Sequence, residues 1–119
     1  MRPLCDLSGP WVGFWIQDFV RGSMGLALKF GKGRISGRGA DLVGKFSLSG
    51  AYSGEGRVTI TKKYVWHSVH YKGVWDGQMI SGTWSFPQFD AGSFEIWPES
   101  DRYELGAMEI EETRELTLT

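Results

Sequence analysis

The chain has 119 residues, of which 41% are hydrophobic and 14% aromatic, and its net charge is −1. This content is enough to bury one core without metal ions, and the single cysteine, Cys5, excludes an intrachain disulfide. No apolar run approaches the roughly 18 residues of a membrane span, and the N-terminal stretch lacks the apolar segment of a secretory signal. We therefore expect a cytoplasmic chain without a membrane partner.

Apolar and polar residues alternate in short stretches from residue 11 to residue 97. The first stretch has Trp11, Trp15 and Gln17 on one face, and Asp76-Gly77 has the composition of a two-residue hairpin turn. Strands are predicted at 11–19, 24–30, 32–39, 44–52, 57–64, 67–75, 78–86 and 92–97. Eight short strands with tight turns and no helical period predict an all-β fold, an eight-stranded antiparallel up-and-down (meander) β-barrel.

Glycine is concentrated on one face of the third predicted strand. The odd positions from 31 to 39 are all glycine except Ile35. Because glycine weakens a strand, this pattern indicates tight curvature or space that another group occupies. Both reasons favour a small closed barrel, and the second also suggests a binding pocket.

The charge is spread unevenly along the chain. From residue 98 to the C-terminus seven acids stand against two bases, a charge of −5, which leaves +4 on residues 1–97. We predict a single barrel domain, 1–98, and an acidic tail, 99–119, that is an extra strand, an arm exchanged with a neighbour, or disordered. The basic residues are interpreted as a solvated strand surface, and no nucleic-acid partner is expected, because the pI of about 6.1 is far below that of a basic nucleic-acid binder.

Six segments resemble, in the same order, strands of the avidin and streptavidin family of eight-stranded barrels. They are LSGPWVGFW, GRISGRG, KFSLSGAYS, VTITKKY, His67-Ser68 and SGTWSF. The resemblance runs from Leu7 to about Trp97 and implies an avidin-like or lipocalin-like barrel. It also implies a homo-oligomer, a dimer or tetramer, with contacts through late strands that include Val74, Trp75 and the neighbours of Trp97.

The same resemblance implies a pocket of altered chemistry. Ser68 matches the serine that hydrogen-bonds biotin in that family, and Trp84 matches a tryptophan that walls the pocket. Other positions differ from the family's biotin ligands; they hold Gly13, Gln17, Gly39, Asp41, Thr61 and His70. Biotin is therefore not the expected ligand.

These positions and the strand pattern together predict a ligand site at one end of the barrel. Its members are Trp15, Gln17, Asp41, Ser68, His70 and Trp84. The tryptophans have an alternative role as interior filling, and Asp41 has one as a turn residue that accepts backbone N–H groups. His67 and His70 are three positions apart, and an odd separation places two residues on opposite faces of a strand. We therefore expect neither a metal nor a cofactor.

Three functions remain open at this point. The leading hypothesis is a non-enzymatic barrel that binds a small molecule of unknown identity in an aromatic-walled end. The second is a protein-interaction or self-assembly barrel with a filled interior, whose outer face, with Tyr71 and Trp75, meets a copy of itself or another protein. The third is an isomerase-type or cyclase-type enzyme that uses His70 with Asp41 or Glu95 as an acid–base pair. A cavity smaller than one water would exclude the binder, whereas a few hundred cubic ångströms would favour it.

Overall fold

The computed structural model describes residues 1–87 and 90–101. Its strands are β1 (Gly9–Gln17), β2 (Val20–Gly31), β3 (Arg34–Asp41), β4 (Lys45–Tyr52), β5 (Arg57–Lys63), β6 (Ser68–Trp75), β7 (Ile80–Phe86) and β8 (Asp90–Pro98). Each strand pairs antiparallel with the next, and β8 pairs with β1 to close the barrel. The predicted fold class, an eight-stranded antiparallel meander barrel, is therefore confirmed.

Two short 3-10 turns flank the barrel, Leu4–Asp6 before β1 and Glu99–Asp101 after β8. The prediction for the acidic tail concerns 99–119, and all of it beyond Asp101 lies outside the described residues. Within the described ranges, no helix has the length and apolar character needed to cross a membrane.

Some strands begin or end at other residues than predicted, because side chains bind the backbone of the adjoining turn. The seventh strand was predicted from Gln78 but begins at Ile80. The Asp76 carboxylate accepts the backbone N–H groups of Gln78 and Met79, at 2.8 and 2.9 Å, and so holds both residues in the turn.

The interior is filled by side chains that point inward from alternate positions of each strand. On β6 the inward residues are Val69, Tyr71 and Trp75. Tyr71 lies edge-on to Phe94 with ring centroids 4.8 Å apart, and Trp75 packs on Trp11 at 5.7 Å. The prediction of an outer face with Tyr71 and Trp75 is therefore wrong, because a shift of one position inverts every side chain of a strand.

The inverted face also removes Trp75 from the predicted contact between copies. Its side chain is buried inside the barrel, whereas Val74 beside it is exposed. The homo-oligomer itself stays a prediction.

The glycines of β3 allow neighbouring strands to approach closely. A Cβ atom on Gly37 would lie 2.3 Å from the Ala27 carbonyl oxygen, and one on Gly39 would lie 2.2 Å from the Gly25 carbonyl oxygen. The Gly39 position is also blocked by the Phe46 ring, 2.7 Å away. Backbone and ring atoms already occupy the space that these glycines leave, so tight curvature explains them and a ligand is not needed to do so.

Candidate functional site: the loop end of the barrel

The hairpin connections lie at two ends of the barrel that differ in chemistry. We call one the loop end; it holds the connections 18–19, 42–44, 64–67 and 87–89, of which residues 88 and 89 are not described. We call the other the polar end; it holds 32–33, 53–56 and 76–79. Asp41, Lys62 and Tyr64 lie just inside the loop end and form its buried charged cluster.

Asp41 ends β3, and its two carboxylate oxygens bind different parts of the molecule. Oδ1 accepts the backbone N–H groups of Val43 and Gly44, at 2.9 and 3.3 Å, and so fixes the β3–β4 turn. Oδ2 accepts a hydrogen bond from Lys62 Nζ at 2.9 Å and another from the Tyr64 hydroxyl. The same carboxylate therefore connects the turn to the interior of the barrel.

Lys62 reaches that carboxylate from β5, whose inward positions are Val58, Ile60 and then Lys62. Only 2% of the Lys62 side chain and none of the Asp41 side chain is exposed. The ammonium group lies 4.8 to 5.2 Å from the ring centroids of Phe46, Tyr64 and Tyr71. An ion pair and three aromatic faces thus compensate the burial of this charge.

Opposing effects set the protonation of the cluster. Burial alone would raise the pKa of Asp41, but hydrogen bonds from Lys62 and Tyr64 outweigh it and hold that pKa below its ordinary value. Burial lowers the pKa of Lys62, and the hydrogen bond and charge of Asp41 offset this only in part. Burial and the neighbouring carboxylate raise the pKa of Tyr64, so its hydroxyl stays protonated and donates a hydrogen bond to Asp41.

Aromatic contacts extend the cluster toward the β5–β6 and β7–β8 connections. His67 stacks on Tyr64 with ring centroids 4.7 Å apart and packs against Phe86 at 5.2 Å. The backbone N–H of Tyr64 donates to the His67 carbonyl oxygen at 2.8 Å, which closes the β5–β6 turn. Two of the loop-end turns are therefore anchored on one buried group of side chains.

Three of the predicted site residues lie with Asp41 at this end of the barrel, where Trp84 is buried and Trp15 and Gln17 are half-buried. Trp15 and Trp84 meet edge to face with centroids 6.4 Å apart, and Gln17 follows Trp15 on the same face of β1. The indole N–H of Trp84 donates to the Ile16 carbonyl oxygen at 3.0 Å, so its polar group is already bound within the protein. These tryptophans pack as interior residues.

Ser68 and His70 are not brought to that interior. They alternate with the buried residues Val69 and Tyr71 and therefore lie on the outer face of β6. His70 is exposed, and its Nδ1 lies 3.3 Å from the Thr61 hydroxyl on β5. The predicted ligand site of six residues is thus divided between the two faces of the sheet, and His70 does not share a pocket with Asp41.

The centre of the barrel leaves little free volume. The cavity there is about 10 Å³ and is bordered by apolar side chains such as Leu48, Ile60 and Phe94 together with Lys62. This volume is at the lower limit for one water molecule. A larger groove of about 660 Å³ lies on the outer face of β1–β4, where its lining includes Gly25, Ala27, Ala40, Arg38 and Lys45.

The turns of the loop end expose large apolar side chains. We call this set the apolar rim; its members are Phe19, Val20, Leu42, Val43, Val65 and Trp66. Phe19 and Trp66 are the most exposed, with relative accessibilities of 105% and 92%. Each of the three fully described hairpins of this end thus carries two consecutive exposed apolar residues, which lie in the connection or, for Val20, at the first position of the strand after it.

The polar end has the turn composition that is usual in hairpins. Its connections are Lys32-Gly33, Ser53-Gly54-Glu55-Gly56 and Asp76-Gly77-Gln78-Met79. The connections of both ends join antiparallel neighbours over two to four residues, so connection length does not explain why only the loop end carries the apolar residues of the rim. Among the described residues, no group of three or more His, Cys, Asp or Glu side chains is arranged to share a metal ion.

The chain was compared with protein-family models and with curated proteins. No family model matches it, and no curated protein is similar to it. The avidin resemblance therefore rests on the six sequence segments and stays a prediction.

Proposed function

We propose that this chain is a non-enzymatic binding module whose binding surface is the apolar rim at the loop end. In this proposal the barrel interior is a packed scaffold, as in the second of the three functions left open by the sequence, but the contact surface is the loop end and not the outer face of β6. The observation that carries the proposal is the pair of exposed apolar residues at the tip of each of three neighbouring hairpins. Exposed apolar patches of several hundred square ångströms are uncommon on monomeric proteins and usually mark contact sites.

The rim is large enough to act as a contact surface. Alternate hairpins of a barrel are separated by two strand spacings, which places neighbouring tips roughly 10 Å apart. The two aromatic side chains alone offer on the order of 150–250 Å² each, and the four aliphatic residues add to this. The total is comparable with one side of a small protein interface.

The buried charged cluster supports this function by fixing the shape of one tip. Leu42 and Val43 lie at the centre of the turn whose backbone N–H groups bind Asp41, and Lys62 and Tyr64 hold that carboxylate in place. A surface that is rigid before binding loses less conformational entropy on binding. The cluster therefore has a positioning role, and no chemical step is assigned to it.

Hydrophobic interaction chromatography of the full chain tests the proposal. We expect the double variant Phe19→Ser/Trp66→Ser to elute clearly earlier than the native chain, because these two side chains are the most exposed members of the rim. The matched control is Val74→Ser, which removes an exposed apolar side chain from the outer face of β6. Equal retention of the double variant and the native chain would contradict the proposal.

The outer groove favours a second candidate, a binder of small anions. Its volume of about 660 Å³ lies within the range of ligand sites, and its charged lining consists of two cations, Arg38 and Lys45, and one acid, Glu99. Native mass spectrometry and tryptophan quenching against a panel of small anionic metabolites test this candidate. A bound anion that is lost in Arg38→Gln/Lys45→Gln would support it, and a consistently empty protein would contradict it.

A further inference from the structure

Each tip of the apolar rim has an exposed cation close behind it. Arg21 follows Val20 directly, Lys45 is two residues after Val43, and Lys63 is two residues before Val65. All three cations are exposed, and the Arg21 guanidinium lies over the Phe14 ring at 3.8 Å. The loop end thus has an outer layer of apolar side chains and a second layer of positive charge.

The separation of the two layers follows from strand geometry. A strand rises about 3.3 Å per residue, so a cation one or two residues behind a tip lies about 3–7 Å below it. Apolar groups of peripheral membrane proteins enter a bilayer by about 5–10 Å. Tips inserted to that depth would place Arg21, Lys45 and Lys63 at the level of the lipid phosphates.

We propose that the apolar rim docks on a membrane surface that carries anionic phospholipids, with the tips inserted and the three cations on the phosphates. This inference rests on the proposed function, since it names the partner of the same rim. It differs from the sequence-based expectation of no membrane partner, which considered only spanning segments and secretory signals. The chain would lie on the bilayer by its loop end and would not cross it.

The residue types of the rim favour a membrane over other partners. Trp66 and Phe19 are aromatic, and tryptophan in particular prefers the boundary between lipid and water. A second copy meeting this one end to end would bring together two surfaces on which exposed cations outnumber exposed acids, which opposes association. Nucleic acid would bind the cations but would leave six apolar side chains in water.

Negative charge at this end is smaller than positive charge. Among the described residues near the rim, the exposed acids are Asp18, beside Phe19, and Asp90, at the start of β8. Asp41 is also there, but its carboxylate is buried and paired with Lys62. The exposed charge of the described loop end is therefore positive, in agreement with an anionic surface.

Co-sedimentation of the full chain with lipid vesicles tests the proposal. One set of vesicles contains phosphatidylcholine alone, and the other adds about 30% phosphatidylserine to supply negative charge. We expect binding to the anionic vesicles, reduced about tenfold or more in Phe19→Ser/Trp66→Ser because the inserted aromatic area is lost. In Arg21→Gln/Lys45→Gln/Lys63→Gln we expect a loss of about fivefold for each charge removed.

The polar end provides a control that removes the same charge. The variant Lys32→Gln/Arg34→Gln/Arg57→Gln takes three exposed cations from that end, and we expect it to bind the vesicles as the native chain does. Equal losses in the two triple variants would overturn the proposal, because they would indicate attraction by net charge alone. Equal binding to uncharged and anionic vesicles would contradict the role of the three cations.

Quenching of tryptophan fluorescence by brominated lipids can be measured on the native chain and on a single-residue variant. The result therefore does not depend on whether a variant with two or three substitutions folds. Trp66 should account for most of the quenching of the native chain, and Trp66→Phe should remove it. The native chain could fail to bind vesicles while Phe19→Ser/Trp66→Ser still elutes earlier than the native chain in hydrophobic interaction chromatography. That result would refute the membrane partner and leave the proposed function standing. If the chain binds no vesicles and the double variant is also retained as the native chain is, both the membrane partner and the proposed function are refuted.

Discussion

Replacing Lys62 with methionine should destabilise the barrel strongly. Methionine has a similar length and can occupy the space among Phe46, Tyr64 and Tyr71, so the main change is the loss of the positive charge. The Asp41 carboxylate, with none of its side chain exposed, then stays buried without its ion-pair partner. Breaking a buried ion pair from one side costs about 3–5 kcal/mol of unfolding free energy.

The lower part of that range applies here. After the substitution Asp41 still accepts hydrogen bonds from Tyr64 and from the N–H groups of Val43 and Gly44. We therefore expect a loss of about 3 kcal/mol, which corresponds to a fall of about 1.5 M in the urea midpoint if the slope is about 2 kcal/mol per molar. Urea unfolding followed by tryptophan fluorescence measures this change.

The neighbouring Lys63 provides the control. Lys63 is exposed on the other face of the same strand, so Lys63→Met should change the stability by less than about 0.5 kcal/mol. The double variant Asp41→Asn/Lys62→Met, which buries no charge at either position, should be more stable than Lys62→Met alone. If Lys62→Met is no less stable than Lys63→Met, the account of the buried charged cluster is refuted.

Three further changes test other parts of the structure. The hydrogen bonds to its carboxylate hold the pKa of Asp41 below its ordinary value in the folded protein. Its contribution to stability should therefore be complete above about pH 5 and should disappear as the pH falls through the folded pKa, so that the stability difference between the native chain and Asp41→Asn shrinks in urea titrations at acid pH. An undiminished difference at about pH 2 would argue against this. Gly39→Ala should lower the free energy of unfolding by about 2 kcal/mol or more, because the new methyl group would meet the Gly25 carbonyl and the Phe46 ring. The control is Gly25→Ala, whose methyl group would face open space and should change the stability little. Similar losses at both positions in urea unfolding would contradict the close-approach explanation. Trp84→Phe should cost about 1–2 kcal/mol by leaving the Ile16 carbonyl without its indole donor, and thermal unfolding no different from the native chain would show that this hydrogen bond contributes little.

Much of the fold followed from alternation and turn composition. The runs around Trp11, Leu26 and Ile60 place their strands correctly, because one wet face and one buried face leave a period of two. The ends of strands were less accurate, since they depend on side chains such as Asp76 that bind the turn backbone. On β6 the choice of inner face was wrong, because Val69-His70-Tyr71-Lys72 can be read with either set inward until the neighbouring strands are known.

The candidate site was predictable only in part. The sequence places Asp41 in the β3–β4 turn, where its carboxylate binds the backbone, but it does not reveal that the same carboxylate pairs with Lys62. The alternation along β5 does indicate that Lys62 points inward, since Val58 and Ile60 are buried and the same period continues to Lys62 and Tyr64. A lysine is rarely placed in a core without a partner in view, and the partner lies two strands away on β3, which sequence spacing does not reveal.

The apolar rim was also present in the sequence. Phe19-Val20, Leu42-Val43 and Val65-Trp66 stand where hairpins usually have Gly, Asn, Asp or Ser. Each of these pairs lies in or beside a predicted strand or turn, and two apolar residues there do not by themselves indicate exposure. Only the closed meander shows that all three pairs lie at one end of the barrel.

The central claim is that the loop end is the binding surface, and the position at which an apolar dye binds the folded chain tests it most directly. Backbone amide shifts can be followed by NMR while the dye 1-anilinonaphthalene-8-sulfonate is added to the full protein. We predict that the shifts are confined to residues 18–20, 42–44 and 64–67, which form the tips of the three hairpins. Shifts concentrated at the residues around the central cavity, such as Leu48, Ile60 and Phe94, or at the polar end, would contradict the assignment of the loop end as the binding surface.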